Sequence, residues 1–224
     1  MTHIKKNTYT IVIPAYNEDK HIDAFFRRLK ASSFEVSPSV LVNDGSVDTT
    51  VSVASKYTPY VLNHATNLGK GAALKTGCDF AFTHLKANYV IMMDSDEQHS
   101  PNDLLKFIDK IGEGHELILG VRSFNGMPTI PTYLNKFTSF MIQLLYGTYV
   151  PDVPSGYKAI SRKMYDEIKW QATGYEVEVE IAQKIARKKI KFATVPIETI
   201  YPDYVRGMTL LDGVKVLLKL IGIK

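Results

Sequence analysis

The sequence predicts an α/β fold, a mostly parallel central sheet covered by helices on both faces. Two observations carry this. Short apolar runs rich in β-branched residues alternate with segments whose apolar residues recur at helical spacing. The conspicuous polar residues (Asn17 and Glu18, Asn43 and Asp44, Asp94 and Asp96) each follow one of those apolar runs. Open α/β sheets bind their ligands outside the carboxyl ends of the strands, so these residues are candidates for a site.

Residues 9–14 form the first strand, closed by Pro14, and residues 19–30 a helix carrying Ile22, Phe25, Phe26 and Leu29. Residues 40–42 form a second strand ending at Asn43-Asp44-Gly45. Ser46 reads as the N-cap, and Asp48 as the first-turn acid, of a helix reaching about residue 56. Residues 60–62 are a third strand. Residues 70–85 are a helix with Ala73, Leu74, Phe80 and Phe82 among its apolar positions. Residues 89–93 are a buried strand running into Asp94-Ser95-Asp96. Ser100-Pro101-Asn102-Asp103 is a helix start with a cap, a proline and an acid in order. Residues 116–121 are another strand. Beyond Arg122 the alternation weakens, and the rest is expected to build the second half of the site. No repeat or linker divides the chain, so residues 1–224 are read as a single domain.

Of 224 residues, 45% are hydrophobic and 22% charged, which excludes a disordered chain, a collagen-like repeat and a disulfide scaffold. Lys and Arg number 27 against 23 Asp and Glu, a net charge of +4. That is too mild to imply nucleic acid, but it suits a phosphate-rich partner or an anionic membrane surface. The single cysteine, Cys78, cannot form an internal disulfide and points to a reducing compartment. No stretch reaches the ~18 apolar residues that span a bilayer, and the polar residues 1–7 lead straight into a strand rather than a signal peptide. The expected location is cytoplasmic. The histidines show no zinc-ligand spacing, and Trp170 reads as a packing residue.

Four motifs carry chemistry. Asp94-Ser95-Asp96 puts two carboxylates at the end of a buried strand, where a hard divalent cation would relieve their charge. Pro14-Ala15-Tyr16-Asn17-Glu18 supplies an acceptor for a ribose or base in Glu18 and a flat wall in Tyr16. Asn43-Asp44-Gly45-Ser46-Val47-Asp48 places Asp44 to accept from a nucleobase N–H. Asn67-Leu68-Gly69-Lys70-Gly71 leaves a bare backbone and a lysine at a helix start, a natural anion site. Each alone has a plain structural reading as a turn or a cap.

Together and in this order, the four resemble family-2 glycosyltransferases of GT-A fold. A narrower resemblance follows. Residues 94–101, Asp-Ser-Asp-Glu-Gln-His-Ser-Pro, are similar to the Asp-x-Asp-x-Gln-His-x-Pro block of dolichyl-phosphate mannose synthases and bacterial polyprenyl-phosphate glycosyltransferases. Residues 152–158, Asp-Val-Pro-Ser-Gly-Tyr-Lys, resemble their Ser-Gly-Phe/Tyr-Arg/Lys block. The acids near Tyr175, followed by Val195-Pro196-Ile197, resemble their acid-bearing helix.

The resemblance implies a nucleotide-diphospho-sugar donor of GDP-mannose or UDP-glucose type, Mg²⁺ or Mn²⁺, inversion at the anomeric carbon and a polyprenyl phosphate acceptor. It puts Pro14, Ala15, Tyr16, Glu18 and Asp44 around the nucleoside, with Lys70 near that end. Asp94, Asp96 and Gln98 would hold metal and diphosphate, alongside Ser95. Arg122, Lys136 and Arg206 would lie toward the acceptor phosphate, with Ser155 and Lys158 from the third block. Glu180 is the family's acid by spacing, and Glu178 is the alternative; residues two apart on a helix do not share a face. Asp96, Arg122 and Glu180 are thus the catalytic candidates. A glycan hydroxyl acceptor, or a non-catalytic nucleotide-sugar-binding module, are the competing readings.

Residues 208–224 carry Leu211, Val214, Leu217, Leu218 and Ile221 at helical spacing beside Lys215, Lys219 and Lys224, a basic amphipathic pattern suited to a headgroup layer. Residues 132–149 are a second such candidate. The expectation is peripheral contact with the cytosolic membrane face, with room for a separate membrane-anchoring subunit.

Overall fold

A computed structural model describes residues 8–32, 38–95, 100–122 and 129–198. The strands are β1 (Tyr9–Ala15), β2 (Ser39–Asn43), β3 (Tyr60–Asn63), β4 (Tyr89–Met92), β5 (Leu117–Arg122), β6 (Lys158–Ser161) and β7 (Ala193–Ile197). The helices are α1 (Ile22–Ala31), α2 (Thr50–Ala54), α3 (Lys70–Thr83), α4 (Leu104–Gly112), α5 (Thr129–Tyr146), α6 (Arg162–Ile168) and α7 (Val177–Arg187).

All seven strands join one sheet in the order β3-β2-β1-β4-β6-β5-β7. β1 pairs in parallel with β2 and β4, β2 with β3, and β5 with β7. Only β6 runs antiparallel, between β4 and β5. The predicted mostly parallel sheet is therefore present. The antiparallel strand is the part that the weakening alternation after Arg122 hid: Lys158–Ser161 has two apolar residues between polar ends and lacks the apolar run that marks β4.

β1 and β2 are buried almost throughout, as expected of strands covered on both faces. One core cluster joins α1 and α4 (Ile22, Phe25, Leu29, Leu104, Phe107) to one side of the sheet. The other joins α3, α6 and α7 (Leu74, Cys78, Tyr165, Ile181, Ile185) to the opposite side, with Trp170 fully buried within it. Trp170 packs, as its sequence setting suggests, and its indole N–H donates to Gly71 O at 2.8 Å.

The helix after β2 starts later than predicted. Ser46 is not its cap: its hydroxyl accepts from Asn17 N at 2.9 Å and ties the two strand-end loops together. Asp48 receives Thr50 N at 3.0 Å instead, so the helix begins at Thr50. The elements whose positions matter most for the site match closely: α3 begins at Lys70, and β4 delivers Asp94.

Among the described residues no helix is long and apolar enough to cross a membrane. The predicted amphipathic segment 208–224 lies outside the described residues, as do Asp96, Gln98, His99 and Arg206.

Candidate active site

The carboxyl ends of β1, β2 and β4 open onto one rim, and the amino end of antiparallel β6 reaches the same rim. That orientation brings residues 155–158 beside Asp94. Gly156 has to be bare: a Cβ there would overlap Asp94 Oδ2 and come within 2.9 Å of Lys70 Nζ.

Lys70, the first residue of α3, is the centre of the arrangement. Its ammonium donates to both oxygens of Asp94, at 2.8 and 2.9 Å, and lies 3.1 Å from Glu178 Oε1. Burial alone would lower its pKa, but the charges of Asp94 and Glu178 outweigh that and hold it above the ordinary lysine value. Lys70 is thus held beside Asp94 and Glu178, at the end of β4. Asp94 keeps 20% of its side chain exposed and Lys70 13%, so both can be reached from the crevice.

Glu178 also pairs with Lys158, whose ammonium donates to it and to Ser155 O. The Lys158 and Glu178 side chains are 5% and 6% exposed. Lys158, which the sequence suggested as a substrate contact, is thus buried against Glu178 and Ser155 O beneath the rim. Ser155 Oγ is buried with no hydrogen-bond partner among the described residues, which leaves it a donor and acceptor at the same rim.

The two acids of α7 face different ways. The cluster around Lys70 takes Glu178. Glu180, the acid favoured by spacing, instead accepts from Gln171 N at 2.9 Å and Ala172 N at 2.8 Å and pairs with Lys184 at 3.0 Å. Glu180 thus holds the 171–173 loop, which packs on the start of α3 through Ala72 N and Thr173 O, 3.0 Å apart. Gly71 lies so close to that loop that a Cβ would overlap Ala172 O. α7 is buried almost all round, so each carboxylate needs its own partners. Spacing alone does not reveal which partners each acid takes.

At the other end of the rim, Tyr16 is exposed beyond β1, while Pro14 and Ala15 are buried in the strand. Glu18 N donates to Thr50 Oγ1 at 2.8 Å, fixing the loop to α2. Ser95 Oγ donates to Pro14 O at 3.1 Å, so it ties the β4 loop to β1. Asp44 is buried at the end of β2. It accepts from Leu68 N at 2.9 Å, Gly69 N at 2.7 Å and His64 Nδ1 at 2.7 Å. His64 carried no signal in the sequence, because a lone histidine shows no spacing.

Arg122 closes β5. Its Nε lies 2.9 Å, and its Nη2 2.6 Å, from the carboxylate oxygens of Asp152, which also receives Arg122 N at 2.8 Å. Asn135 Nδ2 of α5 donates to the same Asp152 at 2.7 Å. Arg122 is thus already charge-balanced, held at the strand end by a forked pair the sequence reading did not foresee. Lys136 sits beside this knot on the exposed side of α5.

A family model described as "Glycosyl transferase family 2" matches residues 10–169, from β1 to α6. The chain belongs to glycosyl transferase family 2. An uncharacterized protein of Methanocaldococcus jannaschii is 33% identical to this glycosyltransferase over 99% of this chain and 94% of its own. The UDP-N-acetylglucosamine–dolichyl-phosphate N-acetylglucosaminyltransferase of Methanococcus voltae is 30% identical over 96% of this chain and 95% of its own. Among solved structures, glucosyl-3-phosphoglycerate synthase from Mycobacterium tuberculosis, crystallised with Mn²⁺, UDP and glucosyl-3-phosphoglycerate, superposes with a TM-score of 0.73. That match covers 98% of this chain and 81% of that one at 21% identity, and it shows the shared GT-A fold.

Proposed function

We propose that this glycosyltransferase moves a hexose from a nucleotide-diphospho-sugar to a polyprenyl phosphate, with inversion, at the cytosolic membrane face. The observation that carries the donor half is the Lys70 ammonium between Asp94 and Glu178, beside a glycine that leaves the crevice open. An N–H donor fixed there suits a leaving diphosphate once a bound cation shares the charge of Asp94.

A divalent cation belongs to this reading. Asp94 fits one: it is an oxygen donor at a strand end, partly exposed and already turned toward positive charge. Asp96 and Gln98 would complete the set. Among the described residues no group of three or more His, Cys, Asp or Glu gathers to hold a metal. Mg²⁺ or Mn²⁺, when bound, neutralises charge growing on the diphosphate. Lys70 adds a fixed N–H donor from the protein itself. Pro14, Ala15, Tyr16, Glu18 and Asp44 would receive the nucleoside.

The acceptor half rests on the absence of a free base in the described cluster. Glu178 is tied to two ammonium groups and Glu180 to two backbone amides and Lys184. A glycan hydroxyl needs a base to take its proton. A polyprenyl phosphate, with a second pKa of ~6, is already ionised at neutral pH and needs only positioning. Arg122, Lys136, Arg206 and the Ser155 hydroxyl are the candidates for that. The polyprenyl-phosphate reading also agrees with relatives such as the polyprenol monophosphomannose synthase of Mycolicibacterium smegmatis, 26% identical over 84% of this chain and 75% of its own. Peripheral membrane contact, whether direct or through a separate anchoring subunit, draws on the outward apolar stripe of α5: Tyr133, Phe137, Phe140 and Leu144 are all exposed.

The test is transfer of label from radiolabelled nucleotide-sugars, with Mn²⁺ or Mg²⁺, to undecaprenyl or dolichyl phosphate. Label is expected in the organic phase only when the phosphate lipid is present, and EDTA should abolish it. Equal transfer to a soluble glycan in place of the lipid overturns the acceptor half.

A further inference from the structure

We infer that Lys70 holds the place of a cation at Asp94, yields it when a divalent metal arrives, and turns its ammonium onto Glu178. Glu178 is thereby a positioning residue that acts on the metal through Lys70. This deepens the reading above that Asp94 is a metal ligand, and it rests on that reading.

Lys70 Nζ lies 2.8 Å from one oxygen of Asp94 and 2.9 Å from the other, so the protein closes this carboxylate with a cation of its own. A hard divalent metal seeks the same oxygens, at about 2.1 Å for Mg²⁺. An ammonium that stayed on both oxygens would then stand against the metal, and like charges so close in a half-buried site repel strongly. Lys70 must therefore give up at least one of its two contacts with Asp94.

Glu178 is placed to receive it. Its Oε1 is 3.1 Å from Lys70 Nζ, near enough for an ion pair, yet it accepts no hydrogen bond among the described residues. A buried carboxylate oxygen left so is uncommon, and a small turn of the ammonium satisfies it. The other oxygen, Oε2, is taken by Lys158, which is anchored in turn on Ser155 O. That pin keeps Glu178 under the rim: its side chain is 6% exposed, against 20% for Asp94. The two carboxylates thus differ in what they can do. Asp94, reachable from the crevice, can take the metal, and sealed Glu178 keeps the lysine. Gly156 leaves the ammonium room, since a Cβ there would come within 2.9 Å of Nζ, and the flexible lysine stem allows the turn.

The experiment is Mn²⁺ binding to the full chain without nucleotide, read from the EPR signal of free Mn²⁺. The proteins are the parent, Lys70→Met, Glu178→Gln and the double variant, each at a temperature where its thermal melt shows it folded. Lys70→Met removes the competitor and should bind Mn²⁺ at least about tenfold more tightly than the parent. Glu178→Gln leaves the lysine only Asp94, so it should weaken binding about tenfold in the parent but less than about threefold once Lys70 is replaced. Equal weakening in both backgrounds means that Glu178 acts on the metal by its own charge or as a ligand, and that result overturns the inference. So does Lys70→Met binding no more tightly than the parent; either way, bound Mn²⁺ leaves the metal reading standing. Where Glu178→Gln does not fold by itself, Lys158→Met with Glu178→Gln removes the buried pair together and takes its place. If Mn²⁺ binds none of these proteins, with UDP or GDP or without, the metal reading itself fails and this inference falls with it.

Discussion

Lys158 and Glu178 are nearly sealed from water, and removing one charge strands the other. Glu178→Gln should therefore cost about 3–5 kcal/mol of stability, read as a lower urea midpoint, and Lys70 would lose one of its two carboxylates as well. Asp48 is a gentler case. Burial works to raise its pKa, but hydrogen bonds from the Thr50 hydroxyl and from the Thr50 and Asp19 amides hold it below the usual carboxylate value. A carboxyl lowered on folding adds stability above its unfolded pKa and loses it as the pH falls through the folded one. Asp48→Asn should thus lower the urea midpoint at pH 7, and the gap from the parent should close in acid. At this scale the sequence was read well where one residue makes one contact. Trp170 is an instance, since a buried aromatic has few alternatives. It was read poorly where a polar residue chooses among partners distant in sequence. Lys158, Glu180 and Arg122 each found a buried counter-group that no spacing reveals.

Among the elements, α3 and α5 are set by different constraints. α3 begins where Gly71 meets Ala172 O, so Gly71→Ala must push the helix start off the 171–173 loop. A loss of about 1–3 kcal/mol is expected, together with weaker nucleotide binding, since Lys70 moves with that turn; thermal melts with and without nucleotide would show both. α5 presents Leu144 66% exposed and Phe140 beside it on the outer face. The double change Phe140→Glu, Leu144→Glu should leave unfolding within about 0.5 kcal/mol of the parent and sharply reduce flotation with anionic liposomes. Equal flotation would remove α5 from the membrane argument. Strands β1 to β5 and helix α3 were legible because each carries enough apolar residues to display its period. β6 holds two apolar residues between polar ends, and α2 was misjudged at its start because Ser46, Asp48 and Thr49 are all acceptable caps. Tertiary contact with Asn17 decided among them.

For the whole molecule, the phosphate-acceptor reading makes a pH claim that needs no titrating residue of the enzyme. The lipid phosphate protonates near pH ~6, so transfer measured with a polyprenyl phosphate should fall as pH drops through that range. A profile flat to pH 5 would argue against a dianionic nucleophile. The single reversed strand has a further consequence for how the chain is made. Met92 pairs with Lys158, and β4 finds no partner on that side until β6 arrives. While a ribosome is still extending the polypeptide beyond α4, β4 therefore offers a bare hydrogen-bonding edge beside the half-built crevice. Chains cut short there should clump, and recruiting nucleotide-sugar should be a property of finished protein alone.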